Sequence, residues 1–376
     1  MLSDIEERGL RRHARAVNGP QDTRLWVDGK QVLCLCSNNY LGLARDPTMA
    51  AAVREALHDE GVGAAASRHI SGNMRLHREA EAALSRYVRQ DDGVLFSSGY
   101  SADVGVVQAL VGRGDVVFSD ELNHASIIDG ARLSRASIVI YAHGDPDDLR
   151  RKLREHRGRG RGALVVTETL FSMDGDVPPI APLAALAREF EAGFMVDEAH
   201  ALGVLGPEGR GVCAELGIRP DVIVGTLGKS FGVQGAFAAG DHETMELVRN
   251  RARSYIFSTA PSPALTAAAV ASVALVEAAE DRRSALRAHW TRLRQGLEAL
   301  EFRVVPGDSP IIPVLTGDPE PTMSLSRALL DHGVFVHGVR PPTVPAGKGR
   351  LRVVPMANHS AADIDEALAA FAKVRR

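Results

Sequence analysis

The sequence predicts an α/β protein, with a large domain built on a mostly parallel sheet covered by helices and a smaller C-terminal α/β domain. Three observations carry that prediction. Seven short apolar runs, each bounded by turn residues, recur between residues 94 and 240. Helical texts such as LHREAEAALSRYV and IAPLAALAREFEA lie among them. Strands alternating with helices are the pattern of parallel strands joined by covering crossovers. Beyond Arg282 the rhythm changes, and a second, smaller lobe begins.

In chain order, the first forty residues read as an arm, with one helix and then WVDGKQVLCLCS as an extended pair. The runs VLFSSG, VVFSD, IVIYAHG, ALVVTET, FMVDEAH, VIVGTLG and AFAAG follow. Continuous apolar character makes each a strand buried on both faces. PALTAAAVASVALVEAAE, mostly alanine with Thr266 and Ser272 inside, is a packed helix rather than a membrane span. After it come the helix RAHWTRLRQGLEAL, the extended runs FRVVP and IIPVLTG, a helix, VFVHGV, RLRVVPM and a final amphipathic helix. The expected boundaries are 1–41 for the arm, 42–281 for the large domain and 282–376 for the small one.

A chain of 376 residues, 45% apolar and 24% charged, buries a sizeable core. Its net charge of −3 implies neither nucleic acid nor an anionic membrane as partner. The basic block RRKLREHRGRGRG, Arg150 to Gly162, has no interleaved aromatic residue and reads as a solvated helix end and loop. Cys34, Cys36 and Cys213 form no disulfide framework and lack zinc spacing, so they are expected as buried thiols in a reducing compartment. The N-terminal text has no apolar signal core, and the expectation is a cytoplasmic protein.

In an open parallel sheet, ligands gather at the carboxyl ends of the strands. The polar residues that fall there are Ser97 to Tyr100, Asn123 and His124, Glu168 to Ser172, Asp197 to His200, and Thr226 to Lys229. Three patterns among the motifs mislead. DEAH at 197–200 and GKS at 228–230 suggest a P-loop ATPase, but Ile223 stands where the first glycine of the phosphate loop belongs, and GKS follows the acid instead of preceding it. GVGAAA at 61–66 imitates a dinucleotide fingerprint yet follows a helical text. His69 and His77 have no metal-ligand grouping, and no metal is expected.

What remains is a lysine between small residues in TLGKSFGVQGA, an acid at a strand end and a glycine-serine turn opening a helix. Pyridoxal phosphate needs all three. Its aldehyde condenses with an amine, its ring nitrogen must be kept protonated by a carboxylate, and its phosphate takes backbone amides. Lys229 fits the first need, since burial favours the neutral amine. Asp197 fits the second, and SSGYSADVGVVQAL with the Thr226 hydroxyl fits the third.

With these landmarks the chain resembles fold-type I pyridoxal-phosphate transferases, and among them the α-oxoamine synthase family. The resemblance runs from about Leu10 to the end through SNNYLGL, SGNMRLHREAE, LFSSGYSA, NHASIIDG, TETLFSMDGD, VDEAH, TLGKSFGVQGA, FSTAPSPA and RPPTVPAGKGRLRV. It implies that Lys229 binds the cofactor covalently and then acts as base, and that Asp197 pairs with the ring nitrogen. By the same likeness His124 stacks on the ring, while His200 and Ser172 surround its phenolic oxygen. Gly99 and Tyr100 amides with Thr226 hold the phosphate, and Thr259 comes from the partner subunit of a homodimer with shared active sites. Arg352, helped by Asn38, clamps the substrate carboxylate. Arg350 is read as a surface ion pair.

The reaction so implied is an acyl transfer, a decarboxylative Claisen condensation of an amino acid with an acyl thioester. RPPTVPAG resembles the loop of family members that join L-alanine to a pimeloyl thioester, on CoA or a carrier protein, in biotin biosynthesis. Thr343 in that loop and Arg11 in the N-terminal segment are the expected substrate contacts. Siblings using glycine or serine, such as 5-aminolevulinate synthase and 2-amino-3-ketobutyrate ligase, or another acyl chain, are the alternative. A non-catalytic binding module is disfavoured by the intact lysine, aspartate and histidine.

Overall fold

All seven apolar runs form strands of one sheet in the computed structural model, which describes residues 2–7 and 9–375. They are β1 (Asp92–Phe96), β2 (Val116–Asp120), β3 (Ser137–Tyr141), β4 (Ala163–Glu168), β5 (Gly193–Asp197), β6 (Val222–Thr226) and β7 (Ala236–Gly240). Their order across the sheet is β1-β7-β6-β5-β4-β2-β3. Strands β2 to β6 run parallel, and β7 is antiparallel to both β6 and β1. The reversal has a local cause. Only Leu227–Gly235 joins β6 to β7, too short for the covering crossover that a parallel neighbour demands.

The middle strands are buried along their whole length, as a sheet covered on both faces requires. IVIYAHG departs from the expected burial. Its strand β3 lies at the sheet edge beside β2 alone, and Ile138 and Ile140 are 40% and 58% exposed. The core of this unit joins Val94 and Phe96 of β1 and Val224 of β6 to Val106 and Val107 of the helix Gly99–Leu110. PALTAAAVASVALVE forms a helix, Pro263–Glu277, and its alanine-rich face packs with Leu76 and Ala56. No single helix among the described residues is long and apolar enough to cross a membrane.

The chain divides into two compact units. One holds the seven-stranded sheet and consists of Asp46–Phe171 and Val177–Ala279. The other combines the N-terminal residues up to Arg45, the short segment Ser172–Asp176, and the chain from Glu280 onward. Strand pairing explains why the N-terminal residues belong with the C-terminal ones. The hairpin Arg24–Val27 and Lys30–Cys34 is extended by Val334–Phe335, which pairs in parallel with Leu33 and Cys34. A separate antiparallel sheet of this unit has Gly349–Val353 between Ile312–Gly317 and His337–Val339. FRVVP contributes only a single bridge, Val304 to Val314. Cys34 and Cys213 are buried, Cys36 is half-buried, and all three are free thiols. His77 is a core residue whose Nε2 bonds the Pro261 carbonyl at 2.8 Å, and the ring of His69 bonds the Arg249 carbonyl at 2.9 Å.

Candidate active site

In the unit that holds the large sheet, the carboxyl ends of β4, β5 and β6 bring together most of the residues singled out in the sequence. Thr226 ends β6, and Lys229 lies in the bend that follows it, half-buried. Asp197 ends β5, is 7% exposed, and accepts a hydrogen bond from the Ala199 amide at 2.7 Å. Glu168 ends β4 and is the direct register partner of Asp197. His200 is buried three residues beyond Asp197.

Two helix starts face this edge. Ser98 caps the helix Gly99–Leu110 through a hydrogen bond from the Ser101 amide. The Gly99 and Tyr100 amides, in the first two helical positions, have no intrahelical acceptor. A Cβ placed on Gly99 would lie 3.6 Å from Thr226 Oγ1, so the hydroxyl and the bare helix end are in contact range. Thr226 Oγ1 also accepts from the Gly228 amide at 3.3 Å. The Thr226 hydroxyl donates to the Gly235 carbonyl at 3.2 Å, and the two amides of the helix start have the chemistry of an anion cradle. The phenol of Tyr100 points elsewhere, to Asp129. His124 caps the second helix, Ala125–Ser134, and Glu168 Oε1 accepts from its backbone amide at 2.7 Å.

Behind these groups Asp103, absent from the strand-end residues named above, joins Asp197 and Glu168 in a buried acid cluster. Asp103, on the helix Gly99–Leu110, is 1% exposed. Burial and the adjacent Asp197 push its carboxyl well above the usual range. The same two causes raise Glu168, against the opposing charge of Lys229. Part of the His124 ring remains open to solvent, yet desolvation by its neighbours holds the imidazole below its ordinary value; Lys229 adds to this and Asp197 opposes it. Ser126 Oγ stands 2.6 Å from Asp103 Oδ2 and 2.6 Å from His124 Nδ1. One signal for Asp103 was present in the text. It is the only charge in the otherwise apolar and small-residue helix GYSADVGVVQAL.

Glu198, the second residue of DEAH and one of the strand-end residues named above, has a structural role. It is fully buried and accepts three hydrogen bonds, from the Val212 amide at 3.0 Å, the Cys213 amide at 2.9 Å and Thr169 Oγ1 at 2.9 Å. Those bonds fasten the turn that follows Asp197.

The other unit carries the arginines. Arg350 and Arg352 alternate along Gly349–Val353 and so share one face of that strand. Their surroundings differ. Arg350 is paired with Asp174 at 2.5 Å, but at 3% exposure the pair is not the surface one expected from the sequence; the guanidinium is enclosed by the Met173 and Lys348 carbonyls. Arg352 is 7% exposed, and its three partners are neutral: the Ser172 carbonyl at 2.6 Å, Asn38 Oδ1 at 2.9 Å and Tyr40 Oη at 3.3 Å. A buried guanidinium with only neutral partners is a site prepared for an anion. Ser172 thus groups with Arg352 and Asn38. The Arg11 guanidinium pairs with Glu6 at an exposed position, whereas Arg12 donates to Thr343 Oγ1 at 2.8 Å. Thr259 is exposed in the sheet-bearing unit, on a segment bridged to Ser67.

The family profile described as aminotransferase class I and II matches residues 30–371. A curated 8-amino-7-oxononanoate synthase from Geotalea daltonii is 47% identical over 100% of this chain and 96% of its own length. Among solved structures, serine palmitoyltransferase from S. paucimobilis with bound PLP–myriocin superimposes with a TM-score of 0.94 at 34% identity, covering 99% of this chain and 95% of that one. The chain belongs to the α-oxoamine synthase branch of that family. An 8-amino-7-oxononanoate synthase from Francisella tularensis shares 26% identity at a TM-score of 0.78, covering 91% of this chain and 97% of the other.

Pyridoxal phosphate is the cofactor of this α-oxoamine synthase, and the donor set of the sheet-bearing unit fits it. An amine, a strand-end carboxylate and a helix start with two amides lacking intrahelical acceptors beside a hydroxyl are the groups that an aldehyde, a ring nitrogen and a phosphate require.

Proposed function

We propose that this α-oxoamine synthase condenses L-alanine with a pimeloyl thioester, with loss of carbon dioxide, to give 8-amino-7-oxononanoate for biotin synthesis. The observation that carries the reading is the identity of 47% with a curated enzyme of that name across the entire chain.

When bound, pyridoxal phosphate supplies an aldehyde that takes up amines and a protonated ring that accepts electrons from the neighbouring carbon. The residues of this chain have the complementary tasks. Lys229 would hold the aldehyde, and its Nζ would carry the proton of the substrate α-carbon. Asp197 keeps the ring nitrogen protonated. In this reading His124 would lie against the ring, and His200 and Ser172 would be the groups near its phenolic oxygen. The Gly99 and Tyr100 amides and the Thr226 hydroxyl hold the phosphate. Arg352, steadied by Asn38, grips the amino-acid carboxylate, and Thr343 and Arg11 border the acyl chain.

The active form in this proposal is a homodimer with Thr259 completing the partner's site. Exposed Ile70 and Phe257, 80% and 70% exposed, flank the Thr259 segment and supply apolar area for the contact. Full activity in a sedimenting monomer contradicts this part.

Release of thiol from pimeloyl-CoA with alanine, glycine and serine tested separately decides the substrate. The proposal expects alanine to be preferred. Equal or greater turnover with serine supports a second reading, which the 34% identity and close superposition with serine palmitoyltransferase favour.

A further inference from the structure

Asp103, Ser126 and His124 form a continuous chain of short hydrogen bonds. Ser126 is fully buried, and its hydroxyl has a single proton with two neighbours, each 2.6 Å away. His124 Nδ1 is also 3.3 Å from the Ser126 amide, which caps the helix by donating to it. That amide requires a lone pair on Nδ1. An ionised Asp103 would take the serine proton, leaving Nδ1 to reach Ser126 only by carrying a proton of its own, in conflict with the amide. It would also be a buried carboxylate in side-chain hydrogen-bond contact with Asp197 and near Glu168, and a contact between two carboxyl groups itself requires a proton. A neutral Asp103 with its proton on Oδ2, the oxygen 2.6 Å from Ser126 Oγ, satisfies the chain. The acid donates through Oδ2 to Ser126 Oγ, the hydroxyl donates to the single Nδ1 lone pair at 2.6 Å, and the amide at 3.3 Å shares that lone pair as a weaker donor.

We propose that Asp103 is a positioning residue that acts as a neutral acid through Ser126 to fix the His124 tautomer, leaving the remaining imidazole proton on Nε2. The solvent-facing side of the ring then offers a hydrogen-bond donor instead of an acceptor. Its use in catalysis rests on the function proposed above; the tautomer itself does not. Asp197, Glu168 and Lys229 are the other charged or titratable groups acting on this chain.

The test is nitrogen NMR of histidine-labelled full-length protein loaded with pyridoxal phosphate, with the His124 signal assigned by loss in His124→Asn. Wild type is expected to show an unprotonated Nδ1 and a protonated Nε2 at neutral pH. Asp103→Asn, which keeps a neutral donor, should preserve that split. Asp103→Leu and Ser126→Ala should each collapse it towards a tautomer average. A protonated Nδ1 in wild type overturns the proposal, as does an unchanged split in folded Ser126→Ala. No substrate enters the measurement, so a wrong acyl chain or amino acid leaves its outcome unaffected. Should Asp103→Leu fail to fold, the wild-type and Ser126→Ala spectra still decide.

Discussion

Arg352→Lys separates the two arginines of RLR by their surroundings. Arg350 already has a carboxylate partner in Asp174, so it has no charge left to offer. Arg352 keeps its charge buried among a carbonyl, an amide oxygen and a phenol, and a substrate carboxylate would be its first anionic partner. Lysine preserves the charge but loses the planar fork and its paired hydrogen bonds. Disrupting a desolvated, hydrogen-bonded charge pair costs about 2–5 kcal/mol, and retention of the charge places this variant near the lower end. At roughly tenfold per 1.4 kcal/mol, a loss of about 2–3 kcal/mol weakens amino-acid binding roughly thirty- to a hundredfold or somewhat more. Titrating L-alanine against the cofactor absorbance of wild type, Arg352→Lys and Arg350→Lys measures it directly. The expected result is that large loss for Arg352→Lys and a change under about threefold for Arg350→Lys, whose ion pair survives. Equal effects at both positions, or the larger one at Arg350, would refute the assignment.

Other consequences lie in stability. Glu198→Gln keeps the volume but turns one acceptor oxygen into a donor facing a backbone N–H or the Thr169 hydroxyl, and an unmet buried group costs about 1–3 kcal/mol. Urea unfolding should therefore show a loss of about 2–3 kcal/mol; a change under about 0.5 kcal/mol would mean that the three bonds hold nothing in place. Gly211 lies so near that a Cβ would meet Glu198 Oε2 at 2.2 Å, and its φ of +92° is itself unfavourable for alanine, so Gly211→Ala is expected to destabilise the same turn. His359 is buried in the other unit, its Nδ1 accepts from the Met356 amide at 2.8 Å, and burial lowers its pKa to about 4 against the pull of Asp363. A depressed folded value means that its contribution is present above the unfolded value near 6.5 and is lost as pH falls through about 4. The loss is on the order of 3 kcal/mol. Wild type should accordingly lose more stability between pH 7 and pH 4 than His359→Asn, and parallel curves would count against it.

The sheet was legible because burial on both faces leaves an unbroken apolar run in the text, and turns punctuate it. Lys229, Asp197 and the Ser98–Gly99 turn were legible because strand ends locate a site before any contact is known. Other features depended on partners distant in sequence. The exposure of Ile138 and Ile140 follows from the position of β3 at an edge, which an apolar strand text does not encode. Asp103 reads as a lone acid in a helix until the fold brings Ser126 and Asp197 to it. Likewise, nothing in RLR tells which arginine is neutralised, because Asp174 comes from a segment 176 residues away. The N-terminal residues looked like an arm, but their pairing with Val334–Phe335 is a long-range strand contact with no local signature.

In the proposed function one amine, Lys229, holds the cofactor. Besides it the chain has only Lys30, Lys152, Lys348 and Lys373. Borohydride reduction of the cofactor-loaded protein, followed by peptide mapping, reads the attachment point directly. A single pyridoxyl modification on Lys229 is expected, absent from Lys229→Ala together with condensation activity. Stoichiometric label on any other lysine, or undiminished turnover by Lys229→Ala, would contradict it.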